Sequence, residues 1–118
     1  MELVCCQGID KENWKQINAL VNRGEWDKVV ILKNKNAENQ DFGNKCEILE
    51  INSDLTLTEL RTEIMNKLKI KLGKEFEVAL SIVSGNGKEH MALISALLGI
   101  PVGIKLVAFT KSGIEFVN

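Results

Sequence analysis

The sequence predicts one α/β domain, residues 1–118, of the Rossmann-like three-layer class, in which a mostly parallel sheet ends in an antiparallel C-terminal hairpin. Short β-branched runs alternate with segments of helical period, as in sheets whose crossovers are helices. Runs such as KVVILK carry no internal polar residue, which is typical of strands covered on both faces. A length of 118 residues suits one hydrophobic core rather than two.

The N-terminal half predicts three strands and two helices. The first strand is LVCCQ (3–7), and Asp10 is the predicted N-cap of a helix that ends at Gly24. KVVILK (28–33) and CEILEI (46–51) are the next two strands, separated by an asparagine-rich segment, 34–45, that is predicted to be mostly loop. A capping box at Thr56–Glu59 begins the second helix, which ends at Gly73.

The C-terminal half predicts a strand, a helix and a hairpin. FEVALSIV (76–83) is the fourth strand, and the helix Glu89–Leu98 is apolar around most of its circumference, so we expect it to be buried between the sheet and another surface. IKLVAFT (104–110) and IEFV (114–117) form the hairpin. In a doubly wound strand order of 3-2-1-4-5-6, the loops after strands one and four would meet where the order reverses, which is where such sheets bind ligands.

Charge and composition exclude several classes of function. Fifteen Lys and Arg against sixteen Asp and Glu give a net charge of -1, which argues against binding to long nucleic acid. The N-terminal residues MELVCCQG resemble neither a signal peptide nor a membrane span, so we expect a cytoplasmic protein. Three cysteines and one histidine offer too few soft ligands for a convincing metal site, and neither a metal nor a cofactor is expected.

The segment Ser84-Gly85-Asn86-Gly87-Lys88, between the fourth strand and its helix, is the strongest candidate site. Its glycines permit positive φ and a close approach of ligand to backbone. The helix that follows offers unpaired N–H groups and the positive end of its dipole, and Lys88 adds a cation. These features favour a phosphate. The alternative is a plain turn into a tightly packed helix, with Lys88 solvated.

Other motifs and residues are weaker candidates. The segment lacks the glycine and hydroxyl spacing of a P-loop, and no dinucleotide fingerprint follows the first strand. His90 could contact a ligand or transfer protons, although a hydrogen-bonded, partly buried histidine is the commoner role. Cys6 could be a nucleophile, but no histidine base lies near it in sequence. Cys5 and Cys6, which point to opposite faces of a strand, are expected to be buried thiols, and Trp14 and Trp26 core residues.

Residues 76–117, FEVALSIVSGNGKEHMALISALLGIPVGIKLVAFTKSGIEFV, resemble the C-terminal half of a CARF domain, the Rossmann-like sensor of CRISPR-associated systems. That family has a strand, a glycine-rich turn with hydroxyls and a lysine, a buried helix and a closing hairpin in the same order. The loop Gln7-Gly8-Ile9 after the first strand corresponds to the family's second ligand-binding loop. Element order agrees with the family over the whole chain.

The resemblance implies a homodimer that binds cyclic tetra-adenylate or a related cyclic oligonucleotide across its two-fold axis. Gln7, Gly8, Ile9 and the Ser84–Lys88 segment would bind the ligand, in a sensor, a sequestering protein or a metal-independent ring nuclease with Lys88 and Ser84 as catalytic residues. Gly87 stands where the family often has a hydroxyl-bearing residue just before the lysine. The resemblance therefore supports ligand binding more strongly than ring cleavage. Two alternatives stay open: a small enzyme that uses Cys6 or His90 on a phosphorylated metabolite, and an interaction protein that pairs through the hairpin edge Ile114–Val117.

Overall fold

The computed structural model describes residues 1–43, 45–73 and 76–118, which form six strands and three α-helices. Asn44, within the predicted 34–45 loop, lies outside these residues. The elements in chain order are β1 (Glu2–Gln7), α1 (Trp14–Arg23), β2 (Val29–Asn34), β3 (Cys46–Ile51), α2 (Leu57–Lys71), β4 (Glu77–Ser81), α3 (Gly87–Gly99), β5 (Gly103–Thr110) and β6 (Gly113–Phe116).

The strands form one sheet in the order β3-β2-β1-β4-β5-β6, parallel from β3 to β5 and antiparallel between β5 and β6. This confirms the predicted Rossmann-like class, and the strand order is the doubly wound one under which the two loops were expected to meet. The order reverses between β1 and β4, because the chain moves outwards from β1 to β3 and then returns to the other side of β1. The loops after β1 and β4 therefore lie at the carboxyl edge where open α/β sheets bind ligands.

Two hydrophobic cores cover the two faces of the sheet and make the fold three-layered. Helices α2 and α3 pack on one face through Leu60, Ile64, Leu68, Leu93 and Leu97. Helix α1 packs on the other through Trp14, Ile17, Leu20 and Val21, with Trp26 beside it. Successive strand residues alternate between the faces, so Cys6 lies in the first core and Cys5 in the second, as predicted.

Helices α1 and α3, which follow the two predicted ligand loops, begin at residues other than the predicted ones. Asp10 caps a 3-10 turn, Lys11–Asn13, by accepting a hydrogen bond from the N–H of Glu12, and α1 itself begins at Trp14. Helix α3 begins at Gly87, two residues earlier than predicted, because Asn86 is its N-cap and forms a capping box with Glu89.

Helix α3 is buried against the sheet and α2, which fits the expected burial between the sheet and another surface, but its outer side is left uncovered by the described part of the chain. The sheet and α2 cover two sides of the helix, but Met91 is 60% exposed and Leu98 is 63% exposed on its outer side. No described element of the chain packs over this stripe. The apolar composition of α3 therefore reflects a buried inner side together with an exposed apolar outer side.

Candidate functional site

The loops after β1 and β4 are in direct contact, as predicted. The N–H of Gly8 donates a hydrogen bond to the hydroxyl of Ser84 at 2.9 Å. A Cβ atom placed on Gly8 would lie 2.6 Å from the N and Cα atoms of Gly85, closer than real Cβ contacts come. Only a residue without a side chain fits at position 8 with the two backbones this close. The two loops thus form one surface at the carboxyl edge of the sheet.

The Ser84–Lys88 segment turns the chain from β4 into α3 through one left-handed residue. Gly85 has a φ of +101°, which side chains strongly disfavour. Gly87 lies in the first turn of α3 rather than in a left-handed conformation, so of the two glycines that permit positive φ only Gly85 adopts it. A Cβ atom on Gly87 would meet nothing within 4 Å. The space in front of this residue is therefore open to a ligand.

The first turn of α3 leaves two backbone donors available. The side chain of Asn86 accepts from the N–H of Glu89, and its carbonyl accepts from the N–H of His90. Over the described ranges, the N–H groups of Gly87 and Lys88 have no hydrogen-bond acceptor. Together with the positive end of the helix dipole, two such donors beside open space suit an anion.

A pocket of about 200 Å³ lies between the two loops and the end of β2. It is lined by Gly8, Ile9, Asp10, Asn34, Gly85, Asn86 and Glu89. The lining includes two carboxylates and two amides but no lysine or arginine. Its interior therefore favours hydrogen-bond donors, such as hydroxyl or amino groups, whereas an anion is favoured only at the N-terminus of α3 beside it.

Glu89 is the central side chain of the site, and sequence reasoning missed it. The residue is 1% exposed, and its carboxylate accepts hydrogen bonds from the N–H of Asn86 and the amide of Asn34, both at 2.9 Å, and from the hydroxyl of Ser53. It thereby joins the end of β2, the β3–α2 loop and the Ser84–Lys88 segment, which, as the candidate site, we call the ligand loop. The signal that could have found it is the spacing Asn86-x-x-Glu89, which is a capping-box pattern like the one recognised at Thr56–Glu59.

The two residues predicted to be catalytic are both engaged in structural hydrogen bonds. The ammonium of Lys88 is half-buried and donates to the carbonyl of Leu55 at 2.8 Å and to that of Ser53, so it holds the β3–α2 loop against α3. Ser84 is buried, and its hydroxyl accepts from Gly8. Neither residue lines the 200 Å³ pocket. The plain-turn alternative expected a solvated Lys88, and this expectation is wrong.

The first loop contributes one exposed and one buried side chain. Ile9 is 56% exposed and lines the rim of the pocket. Gln7 is fully buried and donates to the carbonyl of Glu38 at 3.2 Å, and its amide oxygen has no hydrogen-bond partner in the described part of the chain. Because Gln7 does not line the pocket, of the three predicted residues in this loop only Gly8 and Ile9 border it.

His90 and Cys6 lie beneath the ligand loop. The Nε2 atom of His90 lies 2.7 Å from the carbonyl of Ser84, and the ring is half-buried. A carbonyl accepts only, so Nε2 carries the proton in this contact. Cys6 is buried, and burial, followed by the nearby charge of Glu89, raises the pKa of its thiol far above the usual range. Such a thiol is a poor nucleophile at neutral pH.

A second concave surface begins at the ligand loop and follows the outer side of α3. A groove of about 470 Å³ is lined by Gly87, Met91, Ile94, Ser95 and Leu98. A smaller concavity of about 150 Å³, between α2 and α3, shares Met91 and Ser95 with it and also contacts Leu57. We refer to Leu57, Met91, Ile94, Ser95 and Leu98 as the α3 face.

Comparisons with known proteins found no match to this chain among protein-family models or among curated proteins. The resemblance to CARF domains therefore stays a hypothesis. Within residues 1–43, 45–73 and 76–118, His, Cys, Asp and Glu form no group of three or more that could hold a metal ion. The helices of the same ranges include none with the length and apolarity to cross a membrane.

Proposed function

We propose that this protein is a CARF-like sensor that binds a cyclic oligoadenylate at the surface formed by the β1 and β4 loops. The observation that carries the proposal is the contact of these loops at the reversal of strand order, next to the free N–H groups of Gly87 and Lys88. In this proposal the ring phosphates accept hydrogen bonds from these two N–H groups. The protein acts in the cytoplasm, in CRISPR-associated antiviral defence.

The chemistry of the site supports a ligand that has both phosphates and hydrogen-bond donors. The N-terminus of α3 suits a phosphate, because its donors and its dipole favour negative charge. The pocket beside it is lined by the exposed carboxylate of Asp10, which suits a ribose hydroxyl or the amino group of a base, while Glu89 and the amides of Asn34 and Asn86 bond to one another beside it. A nucleotide presents both kinds of group within one molecule. Free phosphate alone would leave the acceptor-rich pocket unused.

Binding is better supported than cleavage. A ring nuclease would use Lys88 to stabilise developing charge and Ser84 to position the phosphate. The ammonium of Lys88 is held by the carbonyls of Ser53 and Leu55, and the hydroxyl of Ser84 is held by Gly8. Cleavage would require both side chains to leave these partners. We therefore propose sensing or sequestration as the function, with ring cleavage as the alternative.

The size of the ligand supports a site shared by two copies of the chain. A pocket of about 200 Å³ is smaller than the roughly 300–1,000 Å³ that drug-sized ligands occupy. A ring of four nucleotides is larger than such ligands. One chain can therefore enclose only part of it, which favours a homodimer that surrounds the ring from two sides.

Isothermal titration calorimetry with cyclic tetra-adenylate tests the proposal. The informative variant is Gly87→Pro, which removes one proposed phosphate donor while keeping the helix, because proline suits the first helical position. Asn86 has φ -108° and ψ 172°, an extended conformation that a following proline accepts. We expect Gly87→Pro to weaken binding by roughly ten- to a hundredfold, the usual effect of losing a hydrogen bond to a charged group.

Two controls accompany this variant. Gly87→Ala adds a side chain but keeps the N–H, so it should bind more tightly than Gly87→Pro. Lys71→Ala removes a lysine that pairs with Glu47 away from the site, and should bind as the wild type does. Absence of binding to the wild type at micromolar ligand would overturn the proposal. Chromatography of the ligand after incubation separates the two activities, since linear oligoadenylates would show that the ring is cleaved.

A further inference from the structure

A separate cavity of about 330 Å³ lies on the α1 side of the sheet. It is lined by Lys11, Trp14, Lys15, Asn18, Gln40 and Phe42, and we call it the α1 cavity. None of these residues lines the 200 Å³ pocket of the candidate ligand site. Cavities that hold small molecules commonly measure roughly 300–1,000 Å³. The α1 cavity is therefore large enough for one small molecule but not for a polymer.

The polar side chains of the α1 cavity offer hydrogen-bond donors rather than negative charge. Two lysines contribute ammonium groups, and no carboxylate is among the lining residues that the structure describes. The amide oxygen of Asn18 already accepts from Asn22 at 2.9 Å, which leaves the NH2 group of Asn18 for a ligand. The NH2 group of Gln40 donates to the carbonyl of Asp41 at 3.4 Å, a long and weak hydrogen bond. This chemistry is the reverse of that in the 200 Å³ pocket and favours an anion.

The two lysines differ in how freely they bind a ligand. Lys15 is exposed, and its ammonium has no acceptor within residues 1–43, 45–73 and 76–118. The ammonium of Lys11 pairs with the carboxylate of Glu38, and the two side chains are 58% and 71% exposed. Such an exposed pair is weak, so an anion in the cavity can compete with Glu38 for Lys11. Lys15 is therefore the principal cation of the cavity, and Lys11 is the second.

The floor of the α1 cavity is a rigid aromatic surface. Trp14 and Phe42 are 6% and 2% exposed, and their ring centres lie 6.4 Å apart in an edge-to-face arrangement. The indole N–H of Trp14 donates to the carbonyl of Gly8 at 3.0 Å, which fixes the orientation of this ring. Aromatic rings pack favourably against another planar ring, whereas lysine ammoniums bind phosphate or carboxylate as point charges. A ligand that combines a planar ring with a negative charge matches both parts of the cavity.

We propose that the α1 cavity binds a small aromatic anion, with its ring against Trp14 and Phe42 and its charged group at Lys15 and Lys11. This chemistry has two sources, since a nucleoside monophosphate and an aromatic carboxylic acid both carry a planar ring and a negative charge. The site does not depend on the proposed function, because no residue of the α1 cavity lines the pocket at the ligand loop.

One backbone residue connects the α1 cavity to the candidate ligand site. The carbonyl of Gly8 accepts from the indole of Trp14, and the N–H of the same residue donates to the hydroxyl of Ser84. A ligand that contacts Trp14 therefore changes the environment of Gly8 without touching it. The amide signal of Gly8 in an NMR spectrum should report this connection.

NMR titration of the isotope-labelled full chain tests the site with two probes, adenosine 5′-monophosphate and 1-naphthoate. We expect at least one probe to shift the indole signal of Trp14 and the amide signals of Lys15 and Gly8, with a dissociation constant below about 1 mM. The indole signal of Trp26, which lies in the same core but does not line the cavity, should stay in place. The probe that binds identifies the source of the anion as a nucleotide or a carboxylic acid.

Uncharged and ring-free counterparts of the probes are the ligand controls. Adenosine and 1-naphthalenemethanol keep the ring but lack the negative charge, and inorganic phosphate keeps the charge but lacks the ring. Each should bind at least about tenfold more weakly than the matching probe, because it loses either the charge-assisted hydrogen bonds or the apolar contact.

Three variants test the assigned cations. Lys15→Gln removes the unpaired cation and should weaken binding of the active probe roughly tenfold. Lys69→Gln is the matched control, because Lys69 is an exposed lysine of α2 outside the cavity, and it should bind the probe as the wild type does. Glu38→Gln removes the competitor for Lys11 and should tighten binding about two- to fivefold. A gain of binding cannot arise from a loss of folding.

The proposal is overturned if neither probe shifts the Trp14 signal at millimolar concentration, or if a probe and its uncharged counterpart bind the cavity equally tightly. A Lys15→Gln variant that binds the active probe as the wild type does overturns it as well. If both probes leave the cavity signals unchanged and the monophosphate shifts only the amide signals of Gly87 and Lys88, the anion binds at the N-terminus of α3. That result would exclude the α1 cavity as a site and leave the proposed function standing.

Discussion

Gly85→Ala should destabilise the protein more than any other substitution that adds a single methyl group to the ligand loop. Gly85 has a φ of +101°, and a non-glycine residue held in a sparsely populated backbone region costs about 1–3 kcal/mol. The new Cβ atom would lie 2.6 Å from the sulfur of Cys6 and 3.1 Å from a carboxylate oxygen of Glu89, both of which are buried. Overpacking of this kind costs about 1–3 kcal/mol more.

The two terms sum to about 2–6 kcal/mol, which for a chain of this size lowers Tm by about 8–24 °C. Differential scanning calorimetry of Gly85→Ala and of the wild type measures the difference. Gly87→Ala is the matched control, because its methyl group meets nothing within 4 Å and alanine suits a helix better than glycine. It should range from neutral to about 1 kcal/mol more stable. A Tm for Gly85→Ala within 3 °C of the wild type would refute the assigned loop conformation.

Three further predictions concern buried and capping groups near the site. Glu89→Leu removes the acceptor for the N–H of Asn86 and for the side-chain donors of Asn34 and Ser53. Urea titration should therefore show a free energy of unfolding that is lower by about 3 kcal/mol or more. An unchanged urea midpoint would contradict the assigned hydrogen bonds to Glu89. Cys6 should not react with an aromatic disulfide reagent in the native protein at pH 8, because burial raises its thiol pKa; rapid native labelling at this position would instead support the metabolite-enzyme alternative. Hydrogen bonds from Thr56 hold the pKa of Glu59 below its usual value. The stability that this carboxylate contributes is therefore present above its unfolded-state pKa and is lost as pH falls through its folded-state pKa. The Tm measured from pH 6 to 3 should consequently fall less steeply in Thr56→Ala than in the wild type.

Most of the fold was predictable because its signals are local. The continuous apolar runs of β2 and β4 are typical of strands buried on both faces, and both strands are internal in the sheet. The alternation of strands with helices limits the topology to a few parallel arrangements, and the doubly wound order is among them. Element ends were predicted less well. Asp10 is a cap as predicted, but of a 3-10 turn rather than of α1, and Asn86 caps α3 at a position that the apolar periodicity does not mark.

The candidate site was only partly predictable, since its chemistry depends on which side chains the fold pairs. The contact between Gly8 and Ser84, which are 76 residues apart, was expected from the reversal of strand order. The buried position of Glu89 was not, because its partners Asn34, at the end of β2, and Ser53, in the β3–α2 loop, are far from it in sequence. Likewise, the ammonium of Lys88 binds carbonyls of the β3–α2 loop, so a residue predicted from sequence as a ligand cation is also a structural contact.

The sequence by itself determined the fold class and the order of the elements along the chain, since hydrophobic period and turn residues are properties of neighbouring positions. It allowed several strand orders, and the structure selected the doubly wound one. Only the tertiary structure decided which glycine adopts positive φ, which carboxylate lies beneath the loop and which side of α3 stays exposed. These depend on distances between segments far apart in sequence. The segment Ser84–Lys88 therefore remains the best candidate ligand loop, in which the backbone N–H groups of Gly87 and Lys88 are open while the lysine ammonium is held by carbonyls of the β3–α2 loop.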